Sequence, residues 1–484
     1  MHRQAFVVSG GAGVATRQRL GMLLVLALAT TIGSSCDLLD QAGKGLSQGF
    51  SSPQAQNQAQ QQGSMPGMGQ PATQAEVDAL WKALSEDDKA LLADVGIDKS
   101  YSDGFVGVMD AATIGMMLDS QLEMLRPLEL HDAGVKLGAA LGWKSILEVA
   151  GSDEYYVYPI VANLDADPQS ELLLTQDAAQ ILELDGSVRL LEQPAADYLI
   201  TAAWDMDHDG IDELLAMDFS SGSPDAAAGA DYTYSTVVLN MAGERLTSLD
   251  GSSDMGTLTD ADIDGDGFSD VLLAGYDEAG TPQVRAYGKG GKELWKGSMS
   301  AVSSTLVHGD IDGDGMDELL GVGSTGLDPY SNNVQAFGLK QEATDIPGLS
   351  GNPLASPPSF CVAISAEGPA SILMGTSLLN AVSGERLKLA RPEGWQEMQL
   401  GMGLGWGSGH GYAVIERNGQ RLLAARIIEG LDEYRSDTIG MWNSAGELVY
   451  LEFLGEEIND LQAVQGDSGD ALLIQTSSGL KVSQ

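Results

Sequence analysis

The chain has 484 residues, with 69 acidic against 25 basic side chains and a formal charge of −44. A field of that sign repels nucleic acid and anionic membrane surfaces, so a nucleic-acid-binding role is excluded at the outset. Carboxylates in such number have to be solvated or neutralised by bound cations, because burying an unpaired charge is too costly, and a divalent metal is the obvious cation. There are only two cysteines, Cys36 and Cys361, so no internal disulfide is expected once Cys36 is committed elsewhere.

Residues 1–35 carry Arg3, Arg17 and Arg19, then an apolar run from Leu20 to Ile32, then Gly33-Ser34-Ser35 before Cys36. This is the layout of an export signal peptide. About thirteen apolar residues rise only ~20 Å as a helix, short of a ~30 Å hydrocarbon core, so a retained span is not expected. Small residues followed by cysteine resemble a bacterial lipobox, which implies that Cys36 is acylated and anchors the mature chain; Gly33-x-Ser35 also satisfies ordinary signal peptidase. The localisation expected is the bacterial cell envelope, periplasmic or surface-exposed, with the membrane touched through the lipid alone. From Gln41 to Ala72 the chain is Gln, Gly, Ser, Met and Pro with almost no large apolar side chain, and residues 36–72 read as a disordered tether after Cys36.

Between residues 73 and 142 the pattern changes. Leu80, Trp81, Leu84, Leu91 and Leu92 recur near helical spacing, and Ser85-Glu-Asp-Asp-Lys reads as a helix start. A small α-helical segment is predicted, with Met109, Met116, Met117 and Met124 as core filler.

From residue 143 to 484 a repeated unit dominates, and its first line is an acidic cluster followed at once by an apolar strand. Four copies align without gaps: Asn163-x-Asp165-x-Asp167 to Glu171, Asp205-x-Asp207-x-Asp209 to Glu213, Asp262-x-Asp264-x-Asp266 to Asp270, and Asp310-x-Asp312-x-Asp314 to Glu318. Calcium takes six to eight hard oxygens, and carboxylates at loop positions one, three and five converge when a glycine at six allows a sharp turn. Position seven then offers a main-chain carbonyl, from Gln169, Ile211, Phe268 and Met316, and position nine closes the shell. An EF-hand would place its last acid at position twelve between helices, whereas strand-like Leu-Leu-Leu or Val-Leu-Leu follows here. Strand-flanked loops holding three to four calcium ions are therefore predicted; the first copy departs most, with Asn163 for an acid and Pro168 for the glycine.

Later lines repeat too, as in Val237-Val-Leu-Asn-Met-Ala-Gly243-Glu and Ile439-Gly-Met-Trp-Asn-Ser-Ala-Gly446-Glu. Short strands with turn signals every 8–12 residues mean an all-β array. Second strands start at Glu171, Glu213, Asp270, Glu318, Ser371, Ala413 and Ala471, spaced by 42 to 58 residues, which counts seven units. Four strands per unit at this period is the arithmetic of a β-propeller blade. The last unit has room for only three, and Lys144–Ala150 is expected to supply the fourth and close the ring.

These repeats resemble the FG-GAP and VCBS family of calcium-binding propeller repeats, found in the integrin α-subunit head and in many secreted bacterial proteins. The resemblance spans residues 144 to 484 and is specific over the four Asp-rich units; after Pro353, Ser371, Ala413 and Ala471 replace the position-nine acid. It implies a seven-bladed propeller whose calcium loops join first and second strands on one face, with partners on the other. The loops of that other face carry Tyr232, Tyr276, Tyr330 and Tyr434, and tyrosines on polar loops make good contact anchors.

The histidines of the mature chain, His131, His208, His308 and His410, form no ligand pair, and no G-x-S-x-G elbow occurs. The function expected is a protein- or glycan-binding adhesion module at the envelope and not an enzyme. Alternatives are a propeller lyase or hydrolase acting on a surface polysaccharide, its acid/base pair hidden among the carboxylates, and an envelope assembly scaffold.

Overall fold

The computed structural model describes residues 70–126, 128–148, 159–165, 167–175, 180–190, 198–218, 235–250, 256–276, 282–298, 302–324, 332–337, 346–347, 349, 358–365, 368–401, 411–430, 435–466 and 469–484. Cys36 and its flanking signal and tether lie outside them. The described residues divide into a helical unit ending at Leu128 and a β-rich unit from Glu129.

The helical unit holds α1 (Gln74–Ala83), α2 (Glu86–Asp94), α3 (Lys99–Asp103) and α4 (Ala111–Leu125). Thr73 caps α1 through a reciprocal box with Glu76, and the Ser85 hydroxyl accepts the Asp88 N–H at the start of α2. Val77, Leu92, Ile114, Leu118 and Leu122 are buried together, with Leu80, Trp81 and Met109 against them. Met116 is not core filler: it is 60% exposed, on the face of α4 away from Ile114 and Leu118. The helices also end earlier than position 142, because Gly134–Leu137 extends as a strand to pair with Leu451–Phe453. Among the described residues no helix is long and apolar enough to cross a membrane.

The β-rich unit is a propeller-like array of antiparallel sheets. Four are four-stranded meanders: Ile160–Ala162, Glu171–Leu174, Gln180–Glu183 and Val188–Leu190; Tyr198–Trp204, Glu213–Asp218, Ser235–Leu239 and Arg245–Leu249; Gly256–Ala261, Asp270–Tyr276, Pro282–Gly288 and Lys292–Ser298; Pro358–Val362, Ser371–Met374, Ser377–Asn380 and Arg386–Lys388. A three-stranded sheet, Val302–Gly309, Glu318–Ser324 and Asn332–Phe337, stands between the third and the last of these in the chain.

Seven separate four-stranded blades were the expectation; the remaining strands instead form one nine-stranded sheet. The reason is the 19-residue strand Leu448–Gly466. Its first part pairs with Ser436–Trp442 and its last part, from Ile458, with Gly469–Thr476, so no break separates the two partners. Gly455, at φ 68°, sits mid-strand where a Cβ would meet that of Ala133 at 2.9 Å. The closing strand is present as Trp143–Glu148, paired with Gly479–Ser483 in the register Trp143 with Ser483 and Lys144 with Val482.

Second strands such as Glu171–Leu174 are buried at every position, which explains their unbroken apolar runs in place of alternation. Each face meets a neighbouring sheet. Leu173 and Ile181 pack against Leu214 and Val237, Leu215 and Val238 against Val271 and Leu273, Leu272 and Ala286 against Leu306 and Leu319, and Leu320 against Ile372 and Leu379. Ile146, Val464 and Leu473, from the two ends of the chain, pack on Leu172 and Leu182 of the first sheet. Each such fully buried aliphatic side chain contributes about 1.5–3 kcal/mol.

Candidate metal centres

The four Asp-rich loops occupy one structural place, the connection from the first to the second strand of four consecutive sheets. Left-handed backbone at positions four and six makes the turn: Gly265 and Gly267 have φ 75° and 87°, and Gly313 and Gly315 have 84° and 89°. In the second loop position four is His208, at φ 63°. Its ring stacks on Phe268 of the next loop, with centroids 4.0 Å apart. Gly265 and Gly313 approach Met316 and Pro369 in the corresponding way.

Each loop draws three carboxylates together, with one oxygen of each within 4.8 Å of the others: Asp205, Asp207 and Glu213; Asp262, Asp264 and Asp270; Asp310, Asp312 and Glu318; and in the first loop Asp165, Asp167 and Glu171. Loops two to four thus use positions one, three and nine, and Asp209, Asp266 and Asp314 are not part of the trios. One oxygen of each position-five side chain caps the position-seven N–H, at Ile211, Phe268 and Met316, over 2.9–3.1 Å. Position-one side chains accept amides from the turn, as Asp262 does from Gly265 at 2.8 Å and Gly267 at 2.9 Å. Position-nine side chains each accept the position-two N–H, from Leu164, Met206, Ile263 and Ile311, over 2.6–3.1 Å.

Burial is the main cause of a raised pKa at position nine, with the loop aspartates adding to it. Glu171, Glu213 and Glu318 are pushed up to about 7 and Asp270 to about 6. Glu171 is 0% exposed, yet its Oε1 has no hydrogen-bond partner, and Asn163 Oδ1 is likewise buried without one. Clustered carboxylates with a buried position-nine member and, in the first loop, an unmatched acceptor could hold a hard divalent cation. Without such an ion, a folded pKa above the unfolded value means that the native state holds more protons. That contribution is in place below about pH 4.5 and is lost as the pH rises through 6–7. The metal-free melting temperature should therefore decline between pH 5 and pH 8, and a saturating divalent cation should suppress the decline; a flat profile in chelator would mean that these carboxyls are solvated.

Sequence reasoning passed over position eight. Asp212 exchanges two bonds with Asn163 of the first loop, accepting its N–H at 2.7 Å and donating its own N–H to the Asn163 carbonyl at 2.7 Å. Asp317 does the same with Asp262 of the third loop, at 3.2 and 2.6 Å. His308 Nδ1 lies 2.8 Å from Asp317 and its Nε2 3.0 Å from Asp260 on the neighbouring sheet. Burial alone would lower this histidine, but the two aspartates outweigh it and lift it to about 10. The imidazolium thus bridges the two sheets throughout the neutral range, and its contribution is lost only as the pH rises through 10.

Of the tyrosines proposed as contact anchors, Tyr232, Tyr330 and Tyr434 lie outside the described residues. Tyr276 ends the second strand of its sheet, paired with Pro282.

No protein-family model matches the chain, and no curated protein matches it. Among solved structures it is similar to BBS1N in its complex with ARL6DN, with 12% identity and a TM-score of 0.42 over 70% of this chain and 96% of that one. It is also similar to the exotype rhamnogalacturonan lyase YesX, at 14%, 0.39, 74% and 75% respectively. The extracellular domain of a hybrid two component system of B. thetaiotaomicron gives 10% and 0.41 over 71% of this chain and 41% of that one. At these values the partners and substrates of those proteins are statements about those proteins.

Proposed function

We propose that the chain is an exported lipoprotein, anchored at Cys36, whose β-rich unit is a seven-bladed, calcium-stabilised propeller that binds a protein or glycan at the cell envelope. The carrying observation is that carboxylate trios, each closed by the position-nine acid, recur on the same connection of four consecutive sheets. A repeated ion site on one side of a scaffold stiffens that side and leaves the opposite loops to vary for recognition. Counting the nine-stranded sheet as two blades joined through Leu448–Gly466 gives seven, a count supported by the apolar cluster that links Ile146 and Leu473 to Leu172. Calcium suits the loops better than magnesium, because irregular shells of carboxylate and carbonyl oxygens match its larger, more flexible coordination.

Two experiments test this. Tyr276→Ala combined with Tyr330→Ala in the full-length, detergent-solubilised protein should lower capture of envelope glycans or proteins severalfold while the calcium-dependent melting temperature stays in place. Undiminished capture, together with loss of capture on mutating the Asp-loop side, would put the contact surface on the other face. Cys36→Ser should abolish lipid labelling and release the protein from the membrane fraction, since buried methylenes contribute about 0.8 kcal/mol each; unchanged fractionation would remove the anchor from the model.

A further inference from the structure

The four loops are not equivalent in how they touch one another. Position eight is occupied in turn by Ser170, Asp212, Ser269 and Asp317. Each aspartate is joined on one side to a ligand of its own loop, Glu213 or Glu318, and on the other is hydrogen-bonded to the position-one residue of the preceding loop. Asn163 is held by three bonds to the second loop: two to Asp212 and one from its Nδ2 to the Gly210 carbonyl at 2.7 Å. With the amide nitrogen so occupied, Asn163 Oδ1 is the atom left over, buried and without a partner, in the loop where Glu171 Oε1 is unpartnered too. The asparagine that weakens the first loop as a set of charges is thus the residue through which the second loop orients it.

Between the second and third loops the connection is of another kind. Ser269 brings no carboxylate, and its carbonyl accepts the Trp204 Nε1–H at 2.8 Å. The stack of His208 on Phe268 joins positions four and seven, neither of which offers a side-chain oxygen. Ser170 is tied neutrally, its Oγ accepting the Gln465 N–H at 3.0 Å.

We propose that the loops take up divalent metal as two coupled pairs, in which Asp212 positions the Asn163 ligand of the first loop and Asp317 the Asp262 ligand of the third. The proposal rests on the metal reading above. Drawing Glu213 onto an ion moves Asp212, its chain neighbour, and Asp212 carries the Asn163 backbone with it; Glu318, Asp317 and Asp262 form the same relay. Asp212 and Asp317 are positioning residues and touch no metal themselves.

The test is calcium titration of the full-length protein by calorimetry, with melting temperatures in chelator measured alongside. Asp212→Ser and Asp317→Ser introduce the residue that the first and third loops already carry at this position. Asp212→Ser is expected to weaken calcium binding at one pair of sites about tenfold or more and to leave the other pair unchanged, and Asp212→Asn, which keeps the acceptor, should recover most of the loss. Combined with Asp207→Ala its effect should be non-additive, and combined with Asp264→Ala additive. Additivity in both combinations, equal coupling within and across pairs, or a lower melting temperature in chelator with unaltered calcium affinity would each overturn the pairing. If the unmutated protein binds no calcium, the metal reading itself falls and the pairing with it, and that result is visible before any variant is made.

Discussion

Removing calcium with EGTA is expected to lower the melting temperature of the β-rich unit by on the order of 10 °C. A site whose ion stands tenfold above its dissociation constant adds about 1.4 kcal/mol to the folded state, or about 6 kcal/mol over four loops. For an array of this size each kcal/mol moves the midpoint by about 2 °C. The effect has a structural cause: Glu171, Asp270 and Glu318 are nearly or wholly buried, each beside two further carboxylates, and a bound cation relieves that arrangement without the proton that the position-nine acid otherwise takes up. Asp264→Ala should remove at least a quarter of the calcium-dependent gain. A melting curve indifferent to both chelator and substitution would show the turns to be merely solvated.

Trp442→Ala is expected to cost about 3–5 kcal/mol, measured by urea unfolding at fixed calcium. The indole is 0% exposed, packed among Val362, Leu373, Leu389, Leu400, Leu423 and Ile427, and its Nε1–H donates to the Ala390 carbonyl at 2.7 Å. Its removal opens a cavity between the fifth repeat and the sixth and leaves the Ala390 carbonyl without its donor, and Gly440, whose missing side chain makes room for the ring, offers nothing to fill the space. Leu387→Ala on the outermost strand, where the side chain is 37% exposed, should change stability far less. A loss below about 1 kcal/mol at Trp442 would mean that this interface is not packed as described.

The acidic clusters could be read in the sequence because one spacing recurs four times, and Asp262-x-Asp264-x-Asp266-Gly267 carries both the carboxylates and the glycine that bends them together. The closing strand could be read because a unit with three strands needs a fourth and Lys144–Ala150 was apolar enough to serve. Position eight could not: an alternation of serine and aspartate looks like solvated surface until the neighbouring loop is brought within 2.7 Å of it. Nor could the unbroken strand Leu448–Gly466, because Gly455 reads as a turn and turns instead into a bend within the sheet. The sequence spacing places Asp209, Asp266 and Asp314 among the ligands; in the structure a main-chain N–H two residues on claims one oxygen of each. The stack of His208 on Phe268 could not be read either, because it joins two successive loops and no single repeat contains both rings.

The place where the chain enters the array is also the place where the array is fastened. Ahead of Trp143–Glu148, the buried Asp437 carboxylate grips the His131 backbone N–H at 2.7 Å and its Nδ1 at 2.8 Å, and Gly134–Leu137 lies along Leu451–Phe453. A protein tethered through its N-terminal segment and holding a partner on its far side would carry tension through this segment first. The strands there run antiparallel to their neighbours, so a pull along them loads several hydrogen bonds together in shear instead of peeling them one at a time. Under such a load His131 and Gly134–Leu137 would be met before the pairing of Trp143–Glu148 with Gly479–Ser483, so they would yield first.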